Sequence, residues 1–288
     1  MDGIFLLNKP VDKTSREMCN EIGRLFHTKK VGHVGTLDPF ASGLLIIAVN
    51  KATKAVTFFD ESVKEYEADI SLGTETDTLD NTGKVIKKEQ AKKHSESEIK
   101  ETLKTFLGDI SQTPPMTSAI RVNGKRLYEY AHEGKEVDRP SRTVHIYELE
   151  LLNYDENSNL ITIRAKVSKG TYIRTLGSDI AKKLGNIAHL SRLVRIGVSP
   201  FDIKETSTIE EIKSGKAKVY SVYDVLSRLM KCVEVDETKV NDIKNGKYTY
   251  LDLSTKEDRI LIIDHNHNAI AVYELSDNNR YKFVRGMF

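Results

Sequence analysis

The sequence predicts an α+β fold: a mixed, mainly antiparallel sheet with a few helices, followed by a small β-rich unit at the C-terminus. Three observations predict it. Strands and helices are intermingled along the chain rather than alternating as regular crossover units. Two apolar runs, Val144 to Leu152 and Leu160 to Val167, are joined by a short polar turn, as antiparallel neighbours are. After about residue 232 the texture shifts to brief strands separated by tight turns, the mark of a separate unit of about 55 residues. A length of 288 residues suits two domains, expected at 1–232 and 233–288.

Taken in order, Ile4 to Leu7 reads as a buried strand. Ser15 to Phe26 reads as an amphipathic helix with Met18, Cys19, Ile22 and Leu25 on one face. Gly32 to Gly43 holds three glycines and one proline and reads as a loop, with the apolar strand Leu44 to Val49 after it. Tyr66, Ala68, Ile70 and Leu72 alternate with polar residues, which predicts a half-buried strand. Thr74 to Gly83 reads as an acidic loop. Ser95 and Glu98 form a capping box at the start of a helix carrying Ile99, Leu103, Phe106 and Leu107. Pro114-Pro115 forces a turn. Thr171 to Leu184 reads as a helix stopped by Gly185, and His189 to Val198 as a further strand. Arg259 to Ile263, Ala269 to Leu275 and Tyr281 to Val284 are the short strands of the C-terminal unit.

Composition excludes several classes. Cys19 and Cys232 are the two cysteines, too few for a disulfide framework or a four-cysteine zinc site. Phosphate-loop and HExxH patterns are absent, and no metal is expected. The apolar run near the N-terminus is too short for a signal peptide, and no run of about 18 apolar residues could span a bilayer. The expected compartment is the cytoplasm. The net charge of +2 conceals asymmetry: Arg164 to Gly197 holds eight basic residues against Asp179, while Asp60 to Asn81 holds eight acids against Lys64. Either these are neighbouring faces that neutralise each other, or the basic stretch lines a groove for a polyanion.

The most unusual segment is GHVGTLDPFASGLL, Gly32 to Leu45. Asp38 precedes a proline, which holds its backbone extended, and it sits in a glycine-rich loop between strands. That makes it a candidate catalytic carboxylate; a turn or capping aspartate fits the same pattern. In SKGTYIRTLGSDIAKKLG, Tyr172 and Arg174 stand at the start of a helix, where Arg174 could hold Asp38 ionised or simply face solvent. Tyr66 on its strand could serve the site or the core.

These segments resemble the TruB family of tRNA pseudouridine-55 synthases. The resemblance rests on LLNKP (Leu6 to Pro10), the Asp38 loop, the Tyr66 strand with LGTETDT, PPMTSAIRVNGKRLYEYAHEG (Pro114 to Gly134) and the Arg174 helix, in that order over roughly residues 3 to 200. Val34 departs from it, standing where the family commonly has a small hydroxyl residue. The resemblance implies a catalytic domain of pseudouridine-synthase type with a PUA-like C-terminal domain, and a reaction that detaches uracil from ribose and rejoins it through C5 without a cofactor. It implies Asp38 as the catalytic aspartate, Arg174 as its partner and Tyr66 as the tyrosine stacked on the target base. His33 would fill the space left by flipped nucleotides. Leu193 would line the uracil pocket, although a core leucine fits equally. Lys9 would support the site, and Tyr172 would meet the substrate. Residues 113–142, including Arg126, would be an insertion that closes over RNA; an exposed helix and loop is the plain alternative. The implied partner is the T-arm of tRNA, with a monomer acting alone. The guide-RNA-dependent branch of the superfamily and a non-catalytic RNA-binding or folding protein are the other readings.

Overall fold

The computed structural model describes residues 1–59, 63–277 and 279–288. Asp60 and Glu61 of the acidic stretch lie outside the described residues. The first half of the chain runs β1 (Gly3–Lys9), α1 (Ser15–Leu25), β2 (Val31–Val34), β3 (Ser42–Val49), β4 (Lys64–Leu72), β5 (Thr74–Thr76), β6 (Val85–Lys88), α2 (Glu96–Lys104) and β7 (Gly108–Gln112). A small hairpin, β8 (Arg121–Val122) and β9 (Lys125–Arg126), leads into α3 (Leu127–His132). Then come β10 (Arg142–Asp155), β11 (Leu160–Val167), α4 (Ile173–Lys183), β12 (Ala188–Val198), β13 (Phe201–Asp202), α5 (Ile209–Lys213) and α6 (Val222–Leu226). The C-terminal unit holds β14 (Lys231–Glu234), α7 (Glu237–Lys244), β15 (Tyr250–Leu251), β16 (Arg259–Ile263), β17 (Ala269–Leu275) and β18 (Tyr281–Gly286).

The main sheet has the order β1-β3-β12-β4-β11-β10-β7, with β2 added to β3 and β13 to β12. Every pairing in it is antiparallel except a short parallel contact of Val194 and Arg195 with Ser42 and Gly43. β1 takes one edge of β3 along its whole length. β2 and β12 therefore share the other edge, β2 opposite Ile46 to Val49 and β12 opposite Ser42 and Gly43. The Asp38 loop leaves the sheet at this seam.

The sequence logic is visible locally. The capping boxes form at Thr14/Glu17 and Ser95/Glu98, where hydroxyl and carboxylate satisfy free amides reciprocally. The inward faces of β4 and β11 carry Ala68, Ile70, Ile161, Ile163 and Ala165, in one core with Met18, Ile22, Ile99, Leu103 and Leu176 from α1, α2 and α4. Helix α4 ends at Leu184, with Gly185 at φ +70° as the left-handed stop. Two expectations need correction. The first part of the glycine-rich loop, Val31–Val34, is a strand, and the acidic loop begins with the short strand Thr74–Thr76 paired with Val85–Lys88. Both strands are too short to show a periodicity.

The charge asymmetry has a structural explanation. Acids on the outer face of β4 meet bases on β11 and β12: Arg164 lies 2.9 Å from Glu67, and Arg192 lies 2.9 Å from Asp69. Lys166 pairs with Glu148 at 2.9 Å. Arg164 and Arg192 thus meet acids of the 60–81 stretch across the sheet, and Arg164 to Arg195 does not form one continuous basic groove along it.

The C-terminal unit is a five-stranded sheet, β14-β16-β17-β18-β15. The expected boundary after residue 232 falls inside β14, which pairs in parallel with β16. Leu261, Ile263, Val272 and Met287 share an apolar core with Ile4, Leu6, Phe59 and Tyr220. The unit is therefore welded to the β1 side of the main domain by apolar burial, not strung from a linker.

Candidate active site

Asp38 sits midway along the loop between β2 and β3, with about a third of its side chain in contact with solvent (34%). Arg174, in the first turn of α4, is almost wholly buried (3%) and brings Nε to 3.0 Å from Asp38 Oδ2. The contact is an ion pair without hydrogen-bond alignment, since that Nε has no hydrogen-bonded partner. The guanidinium is held from its far side. Nη1 donates to the Thr78 carbonyl at 2.8 Å, to Thr117 Oγ1 at 2.6 Å and to Asp80 Oδ2 at 3.3 Å, and Nη2 donates to the Thr117 carbonyl at 3.0 Å.

Asp80 was legible in the sequence only as one acid of an acidic loop. Its side chain is nearly buried (5%), and Oδ1 accepts from the Thr78 hydroxyl, the Thr82 hydroxyl and the Thr82 amide at 2.7, 2.6 and 3.0 Å. Arg174 therefore lies between two carboxylates, one fixed by threonines and one at the open mouth of the site. Burial pushes the Asp38 carboxyl above the ordinary aspartate range. Arg174 pulls against that rise, and the Asp80 charge adds to it. The outcome is a carboxylate whose ionised form depends on Arg174 more than on water.

Two further cations hold the loop itself. Lys9, at the end of β1, is fully buried; Nζ donates to the carbonyls of Lys13 (2.6 Å), Pro10 (2.8 Å) and Pro39 (3.4 Å). Burial brings its pKa down to about 8, with Asp38 opposing that fall and Arg195 adding to it. The Lys9 ammonium is thus held by carbonyls of the turn after β1, at Pro10 and Lys13, and by that of Pro39, next to Asp38. Arg195 on β12, equally buried, was counted in the sequence only as part of a basic stretch. Its Nε donates to the Leu44 carbonyl at 2.7 Å and its Nη2 to the Gly35 carbonyl at 3.0 Å.

The remaining five candidates lie on five different segments. Tyr66 lies on the inward face of β4, opposite Ala165 on one side and Arg195 on the other, packed half-buried against the core. Tyr172 is the residue before α4; its amide donates to Gln112 Oε1 at 2.7 Å, and Gln112 Nε2 donates back to its carbonyl at 3.1 Å. Burial raises the Tyr172 phenol pKa. His33, on β2 at the loop entrance, has its pKa lowered by burial and then by Arg16 and Arg195; Thr36 Oγ1 lies 3.5 Å from its Nε2. Leu193 is buried in the main core with Leu37, Phe40 and Ala68. Arg126 stands apart from the Asp38 group: it is exposed, and its guanidinium contacts the hydroxyl of Tyr128 at 3.3 Å. Among the described residues, no three His, Cys, Asp or Glu side chains cluster as metal ligands. Nor is any described helix long and apolar enough to cross a membrane.

This geometry has a family. Residues 23–173 match the model of the TruB family pseudouridylate synthase (N terminal domain). The tRNA pseudouridine synthase B of Caldanaerobacter subterraneus subsp. tengcongensis is 40% identical over 272 residues, covering 94% of each chain. That of Geobacillus thermodenitrificans is 40% identical over 286 residues, covering 95% of this chain and 94% of the other. Among solved structures, a Cbf5-Nop10-Gar1 complex matches with a TM-score of 0.76 at 22% identity, over 99% of this chain and 85% of that one. At that identity it speaks for the fold alone. The chain belongs to the TruB family of pseudouridylate synthases.

Proposed function

We propose that the protein isomerises uridine to pseudouridine in tRNA, that its target is uridine 55 of the T-loop, and that Asp38 is the reacting carboxylate. The observation that carries this reading is the Asp38–Arg174–Asp80 arrangement, in a chain whose relatives are named tRNA pseudouridine synthase B.

The reaction breaks the bond from N1 to C1′ of the ribose and forms one from C5 to C1′. The C5 proton is lost and N1 gains a proton, so atoms and charge balance without redox. Cleavage leaves positive character on the sugar. A partly desolvated carboxylate at the open side of the site is suited to trap that sugar or to take a proton from it. Arg174 favours the ionised form of Asp38 against the burial that opposes it. The target base must leave the RNA stack to reach Asp38. Tyr66 is proposed to stack on it, with Leu193 lining its pocket and Tyr172 meeting the nucleotide. His33 is proposed to occupy the space it vacates. Arg126 and its neighbours on residues 113–142 are proposed to grip the RNA backbone, and the C-terminal unit to act as a PUA-like RNA-binding domain.

A single continuous chain carrying both the carboxylate and its own basic insertion supports action as a monomer without an obligate protein partner; we propose the cytoplasm as its compartment, where its substrate tRNA is found. The test is incubation of the purified protein alone with unmodified tRNA transcript, with pseudouridine mapped by position. Conversion at position 55, abolished when that uridine is replaced by cytidine, is the expected result. Conversion only on addition of a guide RNA or further proteins would favour the guide-dependent branch, and binding without conversion would favour a non-catalytic role.

A further inference from the structure

We infer that Arg195 is the positioning residue that sets the Asp38 loop in register with the Tyr66 strand. The inference rests on Asp38 being the reacting carboxylate and adds a residue that acts through it.

Arg195 is among the largest wholly buried side chains, at 1% exposure. A guanidinium removed from water ordinarily has a carboxylate beside it. Among the described ion pairs Arg195 takes part in none, and every acceptor it reaches is a main-chain carbonyl. These carbonyls are the two ends of one loop. Gly35 O, at 3.0 Å, is where the chain leaves β2, and Leu44 O, at 2.7 Å, is where it has entered β3; Val34 O lies at 3.5 Å. Asp38 lies between them. One planar fork thus ties the entry of the loop to its exit, which a point-charge ammonium cannot do at two sites with the same geometry.

The main chain of Arg195 completes the connection. It pairs with Tyr66 on one side and with Gly43 on the other. Gly43 adopts φ +102°, and a Cβ there would overlap the Arg195 carbonyl oxygen, so backbone meets backbone with no room between. A displacement of Arg195 therefore moves the loop carrying Asp38 relative to the strand carrying Tyr66. Arg174 reaches Asp38 from a different element, α4, and does not share this coupling. An uncompensated buried charge is costly to folding. Its placement under the reacting loop is accounted for by the alignment of that loop.

The test is Arg195→Lys, read as a single-turnover rate and a tRNA dissociation constant. Expected is a rate reduced by about 10²-fold, the scale of a slightly misplaced reacting group, with tRNA affinity within three-fold of the parent. A folded variant that turns over within three-fold of the parent overturns the inference. So does a parallel loss of affinity, which would make Arg195 an RNA contact. A measurement on the unaltered protein keeps the inference falsifiable where the variant does not fold. The amide of Leu37, which donates to Ser15 Oγ, and that of Ala41, which donates to the Asp38 carbonyl, report on loop opening by hydrogen exchange. They should open with the same free energy as the β12 amides around Arg195. Exchange about 10²-fold faster than in β12 would show that nothing ties the loop to that strand. Asp38→Asn separates the two ideas. Activity in that variant removes the mechanistic reading itself, whereas an inactive Asp38→Asn beside a fast Arg195→Lys removes only the positioning role.

Discussion

Under the loop at 35–43, Lys9, Arg174 and Arg195 are buried and directed at backbone carbonyls and carboxylates of the site. In the insertion at 113–142, Arg126 and Lys135 face solvent, and Lys135 pairs with Glu133 at 3.2 Å. Both regions gather several cations, but with opposite physics. A buried cation is committed to its neighbours, and its removal changes geometry. An exposed cation keeps weak, exchangeable partners that a phosphate can displace. The role of a cation in this protein is therefore read from what it touches rather than from local charge density.

The largest expected effect lies in the buried region. Asp38→Asn keeps the size of the side chain and leaves Gly35 and Gly43 untouched, so the loop should hold its path. An amide is a poor nucleophile and does not stabilise a developing cation as a carboxylate does. Pseudouridine formation should fall by at least ~10³, the scale of losing a principal catalytic group. tRNA binding should stay within a few-fold, or tighten as repulsion from phosphate is removed. Single-turnover release of tritium from uracil C5, beside filter binding, reads both. A folded variant with near-parental turnover would leave Asp38 a loop residue.

The same contrast marks what the sequence disclosed. The Asp38, Tyr66 and Arg174 segments and most of the strands were legible, because period-2 alternation, capping boxes and a glycine-rich loop are local signals. Asp80 and Arg195 were not. Their roles depend on Arg174 for Asp80 and on Gly35 and Leu44 for Arg195, contacts made across the sheet and between distant segments. Each looked like one charge in a run of charges. The signal that could have marked Arg195 was its place in an otherwise apolar strand, Leu193 to Val198, where a charge has no solvent to face.

Lys9 gives a smaller effect, in stability. Its pKa in the folded protein is about 8, below the ordinary lysine value of 10.5. Between those values the unfolded chain holds the proton that the folded protein has released, so this group makes stability rise with pH across that window. Below pH 8 both states are protonated and the cost of the buried charge is fully present. Urea unfolding at pH 7, 9 and 10.5 of the parent and Lys9→Met isolates it. The parent should gain stability relative to the variant over the window. A constant difference would mean that Lys9 keeps its proton throughout.

In the exposed region, Arg126→Ala removes a cation whose guanidinium lies against Tyr128. Affinity for tRNA should weaken by a few-fold, and the slope of log affinity against log salt should decrease by about one if a single phosphate contact is lost. The rate at saturating tRNA should hold. A fall in that rate with affinity unchanged would put Arg126 among the residues that act at the reacting base.

The smallest effect sharpens the comparison most, because it concerns cations that are exposed but outside the insertion. Lys182 and Lys183 end α4, whereas Arg174 stands in its first turn. At 1.5 Å per residue the two ends are about 12 Å apart along the helix axis. Lys183 lies over the ring of Phe106, which belongs to the segment after α2 rather than to the Asp38 loop. Had Arg164 to Arg195 formed one groove, these lysines would extend it. The sheet instead pairs Arg164, Lys166 and Arg192 with acids and buries Arg174 and Arg195. Replacing Lys182 and Lys183 together by Ala should therefore leave tRNA affinity within two-fold and its salt slope unchanged. A slope lower by two would mean that RNA reaches the far end of α4, and that exposure alone, wherever it occurs on this molecule, is enough to recruit a phosphate.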